Sequence, residues 1–412
     1  MALKQAVQAV YRGVVDDRLR DAFWAWRSRG DSSVASGVTR GLVGASYPVG
    51  SAEEHLAATL DWLRAAQDAC GDGVSAFYDM REGRWCPPYP ETTGYIIPTF
   101  YDAAADGRGE EYRDRARRMA EWLLGLQLAD GAFPIGPLWP GWERRPLVFD
   151  TGQIIHGLVR AHEETRDSRY LDSAARAGRW LASVQDEDGA WRRFTPFGVV
   201  QTYDVRTAFG LARLYQATGE EAHRRTAMRN LEFAVRQQGP DGYYRHMEFR
   251  AGEDALTHTI AYTVEGVLES GVLLGETALV ASATLAAGAL AERQHAQGYL
   301  TARYGERWES ATCWSCPTGT AQMAMCWFRL FELTGQTRFR DAAVDANRHV
   351  KSHQRRDAAA HAGVRGGVSG SWPIWEAYEP YRMLNWAAKF FADSLRLEKR
   401  LTGSHGHARP VH

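Results

Sequence analysis

The stretch that decides the fold is AEWLLGLQLADGAF, residues 120–133. An apolar-periodic run ends at Gln127. A glycine and an aromatic, Gly131 and Phe133, follow at once. The same pattern recurs along the chain as DWLRAAQDACGDG (61–73), GRWLASVQDEDGAW (178–191), LEFAVRQQGPDGYY (231–244), GALAERQHAQGYL (288–300) and RHVKSHQRRDAAAHAG (348–363). The six glutamines, Gln67, Gln127, Gln185, Gln238, Gln294 and Gln354, fall 60, 58, 53, 56 and 60 residues apart. A fixed period of this length marks a repeat architecture in which each unit is one supersecondary element. Each copy reads as a charged, amphipathic helix, a Gly-aromatic turn, a loop and a second helix. Glycine just past a helix end suits a left-handed cap, and the aromatic is expected to dock on the helix just ended.

The second helices are predicted to start near Thr93, Asp150, Asp204, His258, Cys316 and Asn385. Their bodies, such as IIHGLVRAHEET and YTVEGVLESGVLLGE, are apolar most of the way round, as buried helices are. Several end in Thr-Gly, a helix stop. No alternating strand run stands out. Six hairpins with charged partners outside and apolar partners inside predict an all-α (α/α)6 toroid, closed rather than an open solenoid. Residues 51–400 make the ring. Residues 1–50 are read as a helical extension carrying a helix over 3–29, and 401–412 as a flexible tail.

With 45% hydrophobic and 24% charged residues and a formal net charge of −1, the composition is that of a globular protein. The balanced charge argues against a nucleic-acid partner. No apolar run is long enough for a membrane span, and residues 1–13 show no signal peptide, so the cytoplasm is the expected compartment. A homodimer is compatible with the sequence. Five cysteines do not form a disulfide framework. Cys313 and Cys316 make one CxxC, which falls short of the ligands zinc needs. Neither a metal nor a cofactor is expected.

The loops before the inner helices open on one face, where a binding or catalytic site is expected. Catalytic candidates are His258, Tyr262, Asp150 and Asp204. His258 and Tyr262 lie i, i+4 on one helix face and suit base and acid roles; Asp150 with Asp204 would serve hydrolysis. The bland reading makes the two aspartates helix N-caps and His258 a hydrogen-bonded core histidine. Expected substrate-binding residues are Tyr95, Gln153, Tyr203, Arg206, His246, Glu265, Trp314, Gln322, Trp372, Trp375, Tyr381 and Asn385. Glu91, Thr92, Tyr378, Trp386 and Lys389 are further polar or aromatic residues at these entries. Among 15 tryptophans, those in Gly/Pro loops (Trp139, Trp142, Trp308, Trp372, Trp375) suit sugar rings. Arg192, Arg193, Arg206, Arg303 and Arg382 are candidate partners for a uronate carboxylate.

The repeats resemble those of terpene cyclases and protein prenyltransferases. The entries TTGYIIPT, FDTGQIIHGL, TYDVRTA, LTHTIAYTVEG, CPTGTAQMA and WPIW…NWAAKFFAD, within residues 92–393, resemble a family of bacterial exopolysaccharide-biosynthesis proteins. Its architecture is similar to glucuronyl C5-epimerases, polysaccharide lyases and unsaturated-uronyl hydrolases. The resemblance implies an enzyme on a uronic-acid-containing glycan, acting by C5 proton abstraction or by hydrolysis. Two alternatives stand beside it: a terpene cyclase-like enzyme, although DxDD and DDxxD are absent, and a non-catalytic glycan-binding subunit.

Overall fold

A computed structural model describes residues 46–310 and 312–403; the helix expected over 3–29 and most of the expected tail lie outside them. Twelve helices alternate between two concentric layers among the described residues. The outer helices are α1 (Ala52–Asp68), α3 (Glu111–Leu124), α5 (Ser168–Val184), α7 (Glu221–Arg236), α9 (Thr277–Ala291) and α11 (Thr337–His353). The inner helices are α2 (Pro90–Ala105), α4 (Val148–Thr165), α6 (Val205–Thr218), α8 (Thr257–Leu274), α10 (Pro317–Thr334) and α12 (Asn385–Thr402). The architecture is the expected all-α toroid.

Each layer follows from its residues. Helix α3 buries one stripe, Tyr112, Ala116, Met119, Ala120 and Leu123, and leaves its charges in water. Helix α8 buries every residue from Thr257 to Leu268, because it is enclosed by the outer ring on one side and the axial side chains on the other. Neighbouring inner helices touch backbone to backbone: a Cβ on Gly157 would lie 2.2 Å from Gly94 O, and one on Gly319 would lie 2.6 Å from His258 N. Glycine there is a packing requirement, and the second contact fixes the entry of α8 beside α10.

The repeated glutamine is a clamp. Gln127 Nε2 donates to Gly131 O in its own turn (2.9 Å) and to Ser173 O of the next outer helix (2.8 Å). Gln185 does the same with Gly189 O and Thr226 O, both at 3.0 Å. Gln238 and Gln294 repeat the motif onto Ser282 O and Ala342 O. The repeat glycines are not the helix caps expected from sequence. Outer helices end in right-handed or extended residues such as Gly125 and Gln185; Gly131, Gly189, Gly242 and Gly298 lie beyond, at φ 87–98°, against the next outer helix. Left-handed glycine caps close inner helices instead, at Gly219, Gly275 and Gly335. The aromatic docks as expected at Trp191, whose Nε1 donates to Leu181 O at 3.0 Å.

The ring closes where first and last repeats meet. Gln354, the sixth clamp, donates to Gly366 O and to Thr59 Oγ1 of α1, both at 2.7 Å. Short strands, too brief to show alternation in the sequence, complete the seam: β1 (Phe77–Asp79) pairs antiparallel with both β2 (Arg84–Trp85) and β5 (Arg382–Leu384), with Tyr78 opposite Met383. A second pair, β3 (Ala255–Leu256) and β4 (Arg303–Tyr304), ties neighbouring loops. Asn385 Nδ2 reaches Ser75 O and Thr92 Oγ1, both at 2.8 Å. No helix among the described residues is long and apolar enough to cross a membrane.

Candidate active site

The entry loops surround a cavity of about 630 Å³ over the N-terminal ends of the inner helices. None of the six inner helices has a side-chain N-cap hydrogen bond. Uncapped helix N-termini carry positive potential and favour an anionic ligand. The walls are aromatic: Tyr89, Phe149, Tyr203, Phe249, Tyr262 and Trp386. Tyr262 packs 5.0 Å from Phe149 and 4.2 Å from the His258 ring, centroid to centroid.

Two carboxyls meet at the floor. Glu91 enters from the second residue of α2 and Asp150 from the third of α4. Burial pushes Glu91 up to about 7, against a hydrogen bond from Tyr89 and the charge of Arg206. Asp150 is pushed well above the usual carboxylate range by burial and by the neighbouring Glu91 charge, although the Gly136 N–H donates to its Oδ2 at 3.3 Å. Two buried acids that repel as anions do not both ionise readily, so Asp150 keeps its proton when Glu91 ionises.

Beneath the aromatics runs a buried relay. Arg206, 2% exposed, forms a bidentate pair with Glu265 (Nε–Oε2 2.9 Å, Nη2–Oε1 3.0 Å) and donates to Gln153 Oε1 at 2.7 Å. Its guanidinium also lies 5.1 Å from the ring centres of Tyr262 and Phe390. Gln322 Nε2 donates to Glu265 Oε2 at 2.6 Å, which turns Gln322 Oε1 toward His258 Nδ1 at 3.0 Å. That amide has only this orientation available, so Nδ1 carries the proton and Nε2 is left as an acceptor. Burial lowers His258 to about 3, so the imidazole is neutral at physiological pH.

The expected site residues divide into three groups. Tyr95, Asp150, Tyr203, His258 and Tyr262 line the cavity. Gln153, Arg206, Glu265 and Gln322 form the relay under it. The others lie elsewhere. Asp204 is fully buried outside the lining, and neither of its carboxyl oxygens has a hydrogen-bond partner among the described residues. The carboxyl beside Asp150 is Glu91, not Asp204. His246 is a half-exposed loop residue whose carbonyl accepts from Thr202 N. Trp314 packs with Leu256, Ala302 and Cys316, and Trp372 stacks on His353 at 4.0 Å. Trp375 and Tyr381 pack into the loop before β5, with Tyr381 N bonded to Ile374 O. Asn385 is occupied by the seam. Neither aspartate acts as the N-cap that spacing suggests: Asp150 lies inside α4, and Asp204 sits at the cap of α6 without a capping bond.

The sequence marks Glu91 only as one polar entry residue. Its register with Asp150, both in the first turn of consecutive inner helices, is the signal that points to it. Of the arginines, Arg303 and Arg382 reach the cavity with Arg250, whereas Arg192 pairs with Asp186 and Asp188 in an outer turn. Cys313 is exposed and Cys316 is buried. Among the described residues no group of three His, Cys, Asp or Glu is placed to hold a metal ion.

The opposite mouth, about 490 Å³, begins below Tyr95, Arg206 and Glu265. It is lined by paired charges: Arg396 with Asp102 (2.5 Å) and Asp106 (2.6 Å), Lys389 with Asp393 (2.9 Å), and Arg329 with Glu269 (2.7 Å).

No protein-family model matches the chain, and no curated protein matches it. Solved structures do. An unsaturated glucuronyl hydrolase from Bacillus sp. GL1 aligns with a TM-score of 0.66 at 15% identity, over 86% of this chain and 97% of that one. A sugar epimerase from a ruminal bacterium aligns with a TM-score of 0.69 at 11% identity, over 85% and 98%. A polysaccharide lyase aligns with a TM-score of 0.60 at 12% identity, over 86% and 99%. At these identities the likeness establishes the toroid. It does not extend to terpene-cyclase repeats or to exopolysaccharide biosynthesis.

Proposed function

We propose that this chain is a carbohydrate-active enzyme that binds a uronate-bearing sugar in the aromatic cavity and transfers a proton through the Glu91–Asp150 pair. The observation that carries this reading is the pair itself: two buried carboxyls lining one cavity, under aromatic walls, in the first turns of uncapped helices. Aromatic faces cover the C–H surface of a sugar ring. The helix N-termini and Arg250, which lines the cavity without a carboxylate at ion-pair distance among the described residues, suit its carboxylate, whereas Arg303 and Arg382 are paired with Glu253 and with Asp79 and Glu379. One protonated and one ionised carboxyl lining the same cavity are the two groups that hydrolysis of a sugar linkage uses, an acid for the leaving oxygen and a base for water. The solved toroids likewise include a sugar hydrolase, an epimerase and a lyase.

A second reading rests on His258. Its neutral Nε2 acceptor, fixed by Gln322, suits removal of a carbon-bound proton, as epimerisation or β-elimination requires, with Tyr262 beside it as acid.

The test is turnover of a panel of uronic-acid oligosaccharides in deuterated water, followed by NMR and mass. Glu91→Gln and Asp150→Asn should each lower kcat by roughly 10²–10⁴-fold with the fold intact. Activity of the wild type should fall as pH drops below about 7, because Glu91 then becomes protonated and the pair loses its base while Asp150 remains an acid. Deuterium at C5 with full activity in Asp150→Asn and loss in His258→Gln would replace the first reading with the second. No turnover and no bound sugar across the panel would remove both.

A further inference from the structure

The loop between α3 and α4 holds a second concavity. It is about 350 Å³ and is walled by Ile135, Pro137, Trp139, Trp142, Arg144 and Arg145, among others. Ile135, Pro137 and Trp139 also line the main cavity, so the two spaces share a wall. Trp142 is 69% exposed, and its ring centre lies 6.4 Å from that of Trp139. Trp142 at the surface, Trp139 on the shared wall, and Tyr89 and Trp386 in the walls of the main cavity therefore form a run of aromatics leading inward.

The loop is braced. Ile135 N donates to Arg145 O at 2.8 Å, Pro134 bridges Pro146, and Leu138 N donates to Pro88 O at 3.0 Å. Gly136 lies so close to Tyr89 that a Cβ would fall 2.4 Å from its ring. The same glycine donates its N–H to Asp150 Oδ2, so this loop also holds one member of the acid pair.

Cations end the run. Arg144 has no carboxylate at ion-pair distance among the described residues. Arg145 meets Glu143 only at 3.8 Å, with both side chains more than 70% exposed, a contact of little worth in water. An exposed indole with two available guanidiniums suits a flat ring carrying a carboxylate. A compact braced pocket fits one or two such units.

We infer that residues 135–145 form an outer subsite for the next acidic sugar unit of an oligosaccharide whose first unit occupies the main cavity. The inference rests on the sugar reading above and adds to it that the ligand is a chain with a second anionic residue.

The test is calorimetric binding and turnover of a monouronate, a di-uronate and a tetra-uronate, beside neutral chains of matching length. The proteins are the wild type, Trp142→Ala and the double variant Arg144→Gln/Arg145→Gln. All three substituted side chains are exposed, and circular dichroism checks the fold. Wild-type affinity should rise tenfold or more from one unit to two. Trp142→Ala should lose that gain and keep the monouronate affinity. The double variant should lose it for uronate chains and keep it for neutral ones. The subsite is refuted if wild-type affinity does not depend on chain length, or if the gain survives Trp142→Ala. Turnover without a length gain leaves the sugar reading standing and removes this inference alone. Binding of no sugar at any length removes both.

Discussion

Asp204 shows how one residue's surroundings overrule its sequence appearance. At the start of an inner helix it reads as a cap or as half of a catalytic pair. In the fold both oxygens are buried without partners, and burial raises its carboxyl well above the normal value of 3.8. The buried form is therefore the neutral acid. The folded protein holds this proton more tightly than the unfolded chain. The contribution to stability is whole below about pH 4 and is lost as pH rises toward the folded value, at about 1.4 kcal/mol per pH unit. Asp204→Asn, which cannot ionise, should raise Tm more at pH 8 than at pH 5. An equal change at both pH values would show that Asp204 is ionised in the fold. Glu91 and Asp150 are raised by the same burial, but they line one cavity and the Glu91 charge acts on Asp150, which is why they carry the functional reading and Asp204 does not.

The Gln-turn-Gly element repeats because one side chain settles two problems. In five of the six copies the glutamine amide satisfies a carbonyl of its own turn and one on the next outer helix, so a single residue fixes the turn and the spacing between repeats. The glycine is required by space as well as by φ. A Cβ on Gly298, at φ 87°, would lie 2.0 Å from Asp345 O. Gly298→Ala should cost about 2 kcal/mol or more. Gln185→Ala, which removes the amide bonds to the Gly189 and Thr226 carbonyls but leaves Asn230 Nδ2 donating to Gly189 O at 3.0 Å, should cost about 1 kcal/mol. Urea unfolding measures both. A midpoint unchanged in either variant would show that the clamp contributes nothing. The second concavity and the acid pair belong to this scale too, because one loop backbone, at Gly136, serves both.

Closure belongs to the whole molecule. The seam joins segments about 300 residues apart, and its clamp differs from the other five in donating to a hydroxyl of α1 where they donate to a backbone carbonyl of the next outer helix. Gln354 Nε2 binds Thr59, and Gln354 Oε1 lies 2.6 Å from His55 Nδ1. Burial first, then nearby Arg356 and Lys351, outweigh that hydrogen bond and lower His55 to about 4. The unfolded chain therefore takes up this proton first, and the seam loses stability as pH falls from 6.5 toward 4. Hydrogen exchange at β1 and β5 should accelerate over that interval in the wild type. His55→Gln should flatten the dependence. Uniform acceleration around the ring would show that no weak point lies at the seam.

The sequence alone determined the toroid: the glutamine period, the Gly-aromatic turns and the division into charged and apolar helices are local patterns, and six such hairpins close. It also marked the face of the site, since every entry loop announces itself by polar and aromatic residues. Which of those residues meet was decided only in three dimensions. Helix rotation and loop path set Glu91 rather than Asp204 beside Asp150, placed Arg206, Glu265, Gln322 and Gln153 under the floor, and gave Trp314, Trp372 and Asn385 to packing. Side-chain direction about a ring axis depends on the tilt of neighbouring helices, set by contacts such as Gly94 with Gly157 and Gly319 with His258. Residues 50 or more apart meet there, and no spacing within one helix encodes it.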